Sequence, residues 1–254
     1  MSDALSLNNK WIVITRPEHQ AQELSKKLLK VGGCPIHFPL IEIKPNIDLA
    51  SVKHQLDKLQ DYDLIIFVSA NAVEQTFDYL PAESVASIKI ASVGKKTAQA
   101  LTNRGVNVNF CPERFFNSEA LLATPEFQNY IKGKKIAIIR GEGGREYLRK
   151  NLLSLGARAD YIDVYKRNYP QRSLQILKDF WNHDELDIIL LTSASSVSHF
   201  FKLAKNEPWT NKLTLLIGSQ RMQQEIPECF QGKILIAEDP SDETLLMKLL
   251  SEYG

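Results

Sequence analysis

Cysteine is scarce in this chain of 254 residues. Cys34, Cys111 and Cys229 are scattered, odd in number and form no CxxC pair, so neither a disulfide framework nor a zinc site is expected, and a reducing compartment fits. Long apolar runs are also missing. The longest, such as Leu64–Val68 and Ile188–Leu191, fall far short of the ~20 residues that cross a bilayer. Met1–Lys10 has no apolar stretch of the kind a signal peptide needs, and a cytoplasmic location away from membranes is expected. Charge of one sign is absent too: 31 Lys and Arg against 30 Asp and Glu leave a net +1, which gives no global case for nucleic acid.

Motifs are missing as well. The five histidines form no HExxH or close pair, so no metal is expected, and His199 on a Ser/Phe-rich helix reads as a structural or surface residue. Gly141-Glu142-Gly143-Gly144 follows a strand pattern, but Glu146 stands where GxGxxG needs its last glycine. The turn Lys95-Lys96-Thr97 lacks the first glycine of a phosphate loop, because that position is Lys89. No GxSxG elbow occurs.

What is present is an internal repeat. YDLIIFVSANAV (Tyr62–Val73) matches ELDIILLTSASSV (Glu185–Val197), with Ser69 on Ser193, 124 positions apart. The same offset pairs Gly94 with Gly218, Gly32 with Gly156 and Glu119 with Glu243, so a duplicated unit spans roughly 11–123 and 135–247. Within each unit, short β-branched runs alternate with helical patterns. The first unit offers strands at Trp11–Thr15, Ile36–Ile43, Leu64–Val68, Ile88–Val93 and Val106–Phe110; the second has a counterpart for each. In Gln20–Val31, Leu24, Leu28 and Val31 recur at helical spacing before Gly32. Runs apolar at every position suit parallel strands buried on both faces, and five strands per unit suit an α/β chain of two flavodoxin-like domains. Cys34–Pro45 and Ala157–Pro170 stand apart as longer, proline-flanked extended segments, either second strands or interdomain linkers.

Ligands of open α/β sheets bind beyond the carboxyl ends of the strands. The turns there contain Arg16; Ser69; Lys95 and Thr97; Arg140, Gly144 and Arg145; Ser193; and Arg221. Each turn leads into a helix N-terminus, where free N–H groups favour anions, although Ser and Thr there also serve as helix caps. The pattern points to a ligand with several anionic groups.

In order along the chain, TRP (Thr15–Pro17), FPLIEI (Phe38–Ile43), FVSANAV (Phe67–Val73), SVGKKTAQAL (Ser92–Leu101), IRGEGGREYL (Ile139–Leu148), DVYKR (Asp163–Arg167), LLTSASSV (Leu190–Val197) and IAEDPSDETLL (Ile236–Leu246) resemble the bacterial uroporphyrinogen-III synthase family. The resemblance implies two flavodoxin-like parallel-sheet domains: 1–36 with 168–254, and 44–158. A two-stranded antiparallel connector of 37–43 and 159–167 would join them. It also implies the activity: hydroxymethylbilane loses its terminal hydroxyl, ring D attacks through its substituted carbon, and the macrocycle closes with ring D inverted, without a cofactor. Tyr165, in the Val-Tyr pair, matches a family tyrosine and is the candidate catalytic acid. Thr97 matches a family threonine, and Ser69 and Ser193 match family serines. Arg221 departs from the threonine common in relatives and reads as a carboxylate contact. Arg16, Lys95, Arg140, Gly144 and Arg145 complete the expected substrate-binding set. The expected partner is the tetrapyrrole alone, on a monomer with at most a transient contact to hydroxymethylbilane synthase. A non-catalytic module closing on an anion, or a nucleotide-using enzyme, would share the same turns.

Overall fold

The computed structural model describes residues 5–114 and 116–254, so Met1–Lys10, read above for a signal peptide, lies partly outside the described residues. The elements are β1 (Trp11–Ile14), α1 (Glu18–Lys30), β2 (Cys34–His37), β3 (Glu42–Pro45), α2 (Leu49–Leu56), β4 (Leu64–Phe67), α3 (Ala70–Phe77), β5 (Lys89–Ser92), α4 (Lys95–Asn103), α5 (Ser118–Ala123), α6 (Pro125–Ile131), β6 (Lys135–Gly141), α7 (Tyr147–Ser154), β7 (Arg158–Asn168), α8 (Gln175–Asn182), β8 (Ile188–Leu191), α9 (Ala194–Leu203), β9 (Thr214–Ile217), β10 (Lys233–Ile236) and α10 (Asp242–Tyr253). The chain packs as two compact units. One takes the residues up to Glu42 together with Asn168–Gly254, and the other is Ile43–Arg167. Among the described residues, no helix is long and apolar enough to cross a membrane.

The first unit holds a sheet ordered β10-β9-β8-β1-β2. Its neighbouring strands run parallel, Ile14 beside His37 and Leu190, Leu216 beside Leu235. Alternate residues enter opposite cores: Ile12, Ile14, Ile188 and Leu190 pack under α1 and α10, while Val13, Ile189 and Leu191 pack with Leu177, Val197 and Phe200. This is why the strands read as unbroken apolar runs: helices cover both faces, as parallel sheets require.

The second unit holds a sheet ordered β3-β7-β6-β4-β5, with β7, β6, β4 and β5 parallel. Leu64, Ile66, Ile136 and Ile138 enter one core; Ile65, Phe67, Ala137 and Ile139 enter the other.

Two expectations about strands are corrected. Val106–Phe110 is not a regular strand: a single bridge joins Phe110 to Ala91, and the Asn109 carboxamide accepts from the Ile90 N–H in place of a ladder carbonyl. Nor is Ile36–Ile43 one strand. β2 ends at His37, and Phe38-Pro39-Leu40-Ile41 turns away with Phe38 and Leu40 buried in the first unit's core. Phe38 and Leu40 still donate to Ile14 and Thr15, but Pro39 between them has no N–H with which to continue a ladder. The second long segment is an ordinary second strand for most of its length: β7 pairs with β6 from Arg158 to Tyr165.

Candidate functional site

All strands of a parallel sheet end on one side, and there the loops of each unit bring their polar groups together. In the first unit, the sheet order reverses direction between β1 and β8, the place where such sheets open a crevice. Thr15 follows β1, is buried, and donates its hydroxyl to the Leu190 carbonyl at 2.8 Å. Arg16, only 5% exposed, folds back over this point. It reaches Asp242 Oδ1 at 2.6 Å, the Pro240 carbonyl at 2.5 Å and Thr192 Oγ1 at 3.3 Å. Arg16, expected in the substrate-binding set, thus ties the β1 and β8 loops to the start of α10. Ser193 caps α9, accepting from the Ser196 N–H at 3.1 Å, and Ser196 Oγ in turn accepts from the Ser193 N–H. The α9 N-terminus is thereby fixed in orientation with its remaining N–H groups outward. Arg221 is exposed in the 3-10 turn Gln220–Glu225 that follows β9.

In the second unit, the reversal falls between β6 and β4. Arg140, the repeat counterpart of Arg16, is likewise buried and internally bound. Its Nε donates to Asp163 at 2.8 Å, Nη1 to Glu146 at 3.3 Å and to the Gly144 carbonyl at 3.4 Å, and its guanidinium lies 3.3 Å from the centre of the Tyr161 ring. Gly144 thus takes part through its carbonyl, at an exposed turn. Burial holds the Tyr161 phenol above its ordinary pKa, against the opposing pull of Arg140. Arg145 points outward and pairs with Glu119 at 2.9 Å. Lys95 is exposed at the first position of α4, while Thr97 in the same turn is buried. Gly94 precedes α4 without a side-chain cap.

Tyr165, expected as the catalytic acid, is 0% exposed. Its ring lies against Gly141, where any side chain would overlap it, and its hydroxyl sits 3.1 Å from Ser69 Oγ. Arg167 Nη2 donates to the phenolic oxygen at 3.4 Å. Ser69 is half-buried, caps α3 through the Ala72 N–H, and forms the accessible end of this pair. The second unit thus brings Ser69 to Tyr165, and Arg140 to Gly144, while Lys95 and Thr97 share one further turn of the sheet edge and Arg145 sits on another.

Sequence reasoning missed the partners that hold these groups. Asp163 and Asp242 neutralise the two buried arginines, and Arg167 meets the phenol. The repeat carried a partial signal, since it aligns Arg16 with Arg140. It gave none for the carboxylates, which come from different positions in the two units.

The uroporphyrinogen-III synthase (HemD) family profile matches residues 22–247. The uroporphyrinogen-III synthase of Escherichia coli strain K12 is 30% identical over 245 residues, covering 94% of this chain and 99% of that protein. The porphyrin biosynthesis protein HemD of Ruminiclostridium josui is 28% identical over 248 residues; the match takes in 96% of this chain, which spans only 48% of that longer relative. Among solved structures, uroporphyrinogen-III synthetase from Helicobacter pylori 26695 superposes with a TM-score of 0.62 at 18% identity, covering 96% and 99% of the two chains. A mutant uroporphyrinogen III synthase from Thermus thermophilus gives 0.61 at 14% identity, covering 95% and 98%. At such identities the structures speak for a shared α/β fold of largely parallel sheets. On the profile match and the near full-length E. coli relative, the chain belongs to the uroporphyrinogen-III synthase family, a family of cyclising hydro-lyases in tetrapyrrole biosynthesis.

Proposed function

We propose that this chain closes hydroxymethylbilane into uroporphyrinogen III, with loss of water and inversion of ring D. The observation that carries the reading is the pair of sheet edges described above. Each sets helix N-termini at the ends of parallel strands, α1, α9 and α10 in one unit and α3, α4 and α7 in the other. A substrate with eight carboxylates is suited to such a surface, because oriented N–H groups bind anions without a matching number of lysines and arginines. With Arg16 and Arg140 occupied internally, we assign carboxylate binding to those N–H groups, to Lys95, Arg145 and Arg221, and to the Ser69, Thr97 and Ser193 turns. Arg16, Arg140 and Gly144 shape the turns from behind.

The strand order of the first unit, read from β2, is second, first, third, fourth and fifth, the flavodoxin-like order. The second unit follows it from β7 through β6, β4 and β5 to the Phe110 bridge. This order supports reading 1–36 with 168–254, and 44–158, as the bodies of two flavodoxin-like domains, with 159–167, expected as a connector strand, supplying the second strand of the latter's sheet.

Departure of the terminal hydroxyl needs a proton. In our reading Tyr165 supplies it through Ser69: the phenol donates to Ser69 Oγ while the serine proton passes to the leaving hydroxyl, which departs as water. The proton lost on ring closure returns along the same pair, so the enzyme ends as it began. A phenol, with an ordinary pKa near ~10, is a weak acid at neutral pH, and much of the acceleration would come from holding the two chain ends together, worth on the order of 7–11 kcal/mol in ideal cases. Enzymatically prepared hydroxymethylbilane tests this directly, because spontaneous closure gives the type I isomer. Type III product is expected from the wild type. Tyr165→Phe is expected to lower turnover about a hundredfold or more, the range of general acid catalysis, and to exceed the effect of Ser193→Ala. Wild-type turnover in Tyr165→Phe would exclude the phenol, and type I product alone from the wild type would exclude the activity.

A further inference from the structure

Tyr165 and Arg167 stand two residues apart on β7, so their side chains leave the strand on the same face. Their meeting decides where hydrogens point. The phenolic oxygen has two hydrogen-bond partners among the described residues, Ser69 Oγ at 3.1 Å and Arg167 Nη2 at 3.4 Å. A guanidinium carries N–H donors and no acceptor, so Arg167 can only give to the phenol. The phenol's own hydrogen must then go to Ser69 or stay buried without an acceptor. The second course is costly in a side chain that is 0% exposed. Ser69 Oγ already accepts from the Ala72 N–H at 3.1 Å. With the phenol as a second donor, both lone pairs of the serine oxygen are used. The serine hydrogen is thereby turned away from Tyr165, toward the open side of a half-buried residue.

Arg167 differs from Arg16 and Arg140 in its own surroundings. Those two are buried on Asp242 and Asp163, whereas Arg167 is exposed and meets no carboxylate among the described residues. Its contacts are the phenolic oxygen and the Tyr165 ring, whose centre lies 5.7 Å away. We propose that Arg167 is the positioning residue of the Tyr165–Ser69 pair. It aims the phenolic hydrogen at Ser69, and so the serine hydrogen at substrate, and it stays beside the phenolate once the proton has left. The proposal rests on the reading of Tyr165 as the acid. In that step the phenol O–H breaks as a new O–H forms on Ser69, the serine's former proton goes to the departing hydroxyl, and water leaves. The buried oxygen is then anionic, and Arg167 is a cation already within reach of it. The proton lost on ring closure restores the phenol by the reverse path.

Neutron diffraction from deuterium-exchanged crystals of the full chain reads the hydrogens directly. Expected are deuterium on the phenolic oxygen aimed at Ser69 Oγ, an Arg167 deuterium aimed at the phenolic oxygen, and the Ser69 deuterium turned away from both. A Ser69 deuterium aimed at Tyr165 would overturn the proposal. Kinetics with hydroxymethylbilane tests the consequence. Arg167→Met is expected to lower kcat for type III product about tenfold or more, with KM held within about twofold. In the Tyr165→Phe background no phenolate forms, so there Arg167→Met is expected to change kcat by less than about twofold. An equal loss in both backgrounds would reduce Arg167 to a structural part and overturn the proposal. A raised KM at unchanged kcat would also overturn it, making Arg167 a contact for a substrate carboxylate. If the wild type forms no type III product, the functional reading fails, while the neutron map still decides how Arg167 sets the pair.

Discussion

Arg16 and Arg140 stand at the same place in their repeats, each just past the first strand, and each is withdrawn from solvent onto carboxylates. Taking a guanidinium out of water is expensive, and several charged or carbonyl oxygens are needed to offset it. Arg16 has Asp242 and the Pro240 carbonyl; removing it takes the guanidinium away from Asp242 near the start of α10. Arg16→Met is therefore expected to cost about 3–5 kcal/mol in urea unfolding, while Arg16→Met with Asp242→Asn costs less than the single change, because no buried charge remains unpaired. A single-mutant loss no larger than that of exposed Arg145→Met, which should stay within about 0.5 kcal/mol, would refute this role for Arg16. His199 makes a second prediction. Burial holds its pKa below 6.5, with charged Lys202 acting in the same direction. Below pH 6.5 the unfolded chain takes up a proton that the folded chain resists, so this contribution is whole above 6.5 and is lost as pH falls toward the folded value. His199→Gln is expected to flatten the decline in urea midpoint between roughly pH 7.5 and 5.5, and an unchanged slope would show that other groups set it. His199 read as a structural or surface residue and is buried, but other settings were not legible in the sequence. Arg16 read as a substrate-binding residue because nothing local says where a guanidinium turns, and the burial of Tyr165 gave no local signal because it depends on Gly141, a neighbour across the sheet.

Elements were far more legible, for a physical reason. Strands covered on both faces must be apolar at every position, so β1, β4, β5, β6, β8 and β9 announce themselves as short runs. The segments misread were those where a side chain or a proline replaces the regular ladder: Asn109 beside β5, and Pro39 after β2. Caps were legible as residue types but not as ligand groups. Ser69, Ser193, Asn117 and Ser241 all accept from the N–H three residues on, and the repeat aligns Ser69 with Ser193 and Asn117 with Ser241. The repeat thus sets two helix starts in each copy by the same device. Ser193→Ala removes one half of a reciprocal box and leaves the Ser196 hydroxyl without that partner. A loss of about 1 kcal/mol is expected, with the midpoint of thermal unfolding lower by about 2–4 °C. An unchanged midpoint would mean that water replaces the cap at no cost, as it would at a frayed helix end.

Across the whole molecule, the sequence repeat and the compact units do not coincide. The repeat divides the chain near residue 130, yet the first unit joins β1 and β2 of one copy to β8, β9 and β10 of the other, and the second unit joins β4 and β5 to β6 and β7. Each sheet therefore takes its first two strands from one copy and the rest from its sibling. The four apolar cores respect the units and not the repeats. Two lie wholly inside 43–167, and the other two draw only on residues up to Leu40 and from Leu174 onward. A fragment is stable only if it closes its own core, so residues 43–167 alone are expected to unfold in a single cooperative urea transition. Residues 1–125, a complete repeat copy, keep Val13 and Ile14 but lose Ile189, Leu191 and Leu215, against which β1 packs, and are expected to show no cooperative transition. Circular dichroism of the two fragments through a urea titration decides between the divisions. Cooperative folding of 1–125 and its absence in 43–167 would show that the repeat, not the interleaved unit, is the piece that folds.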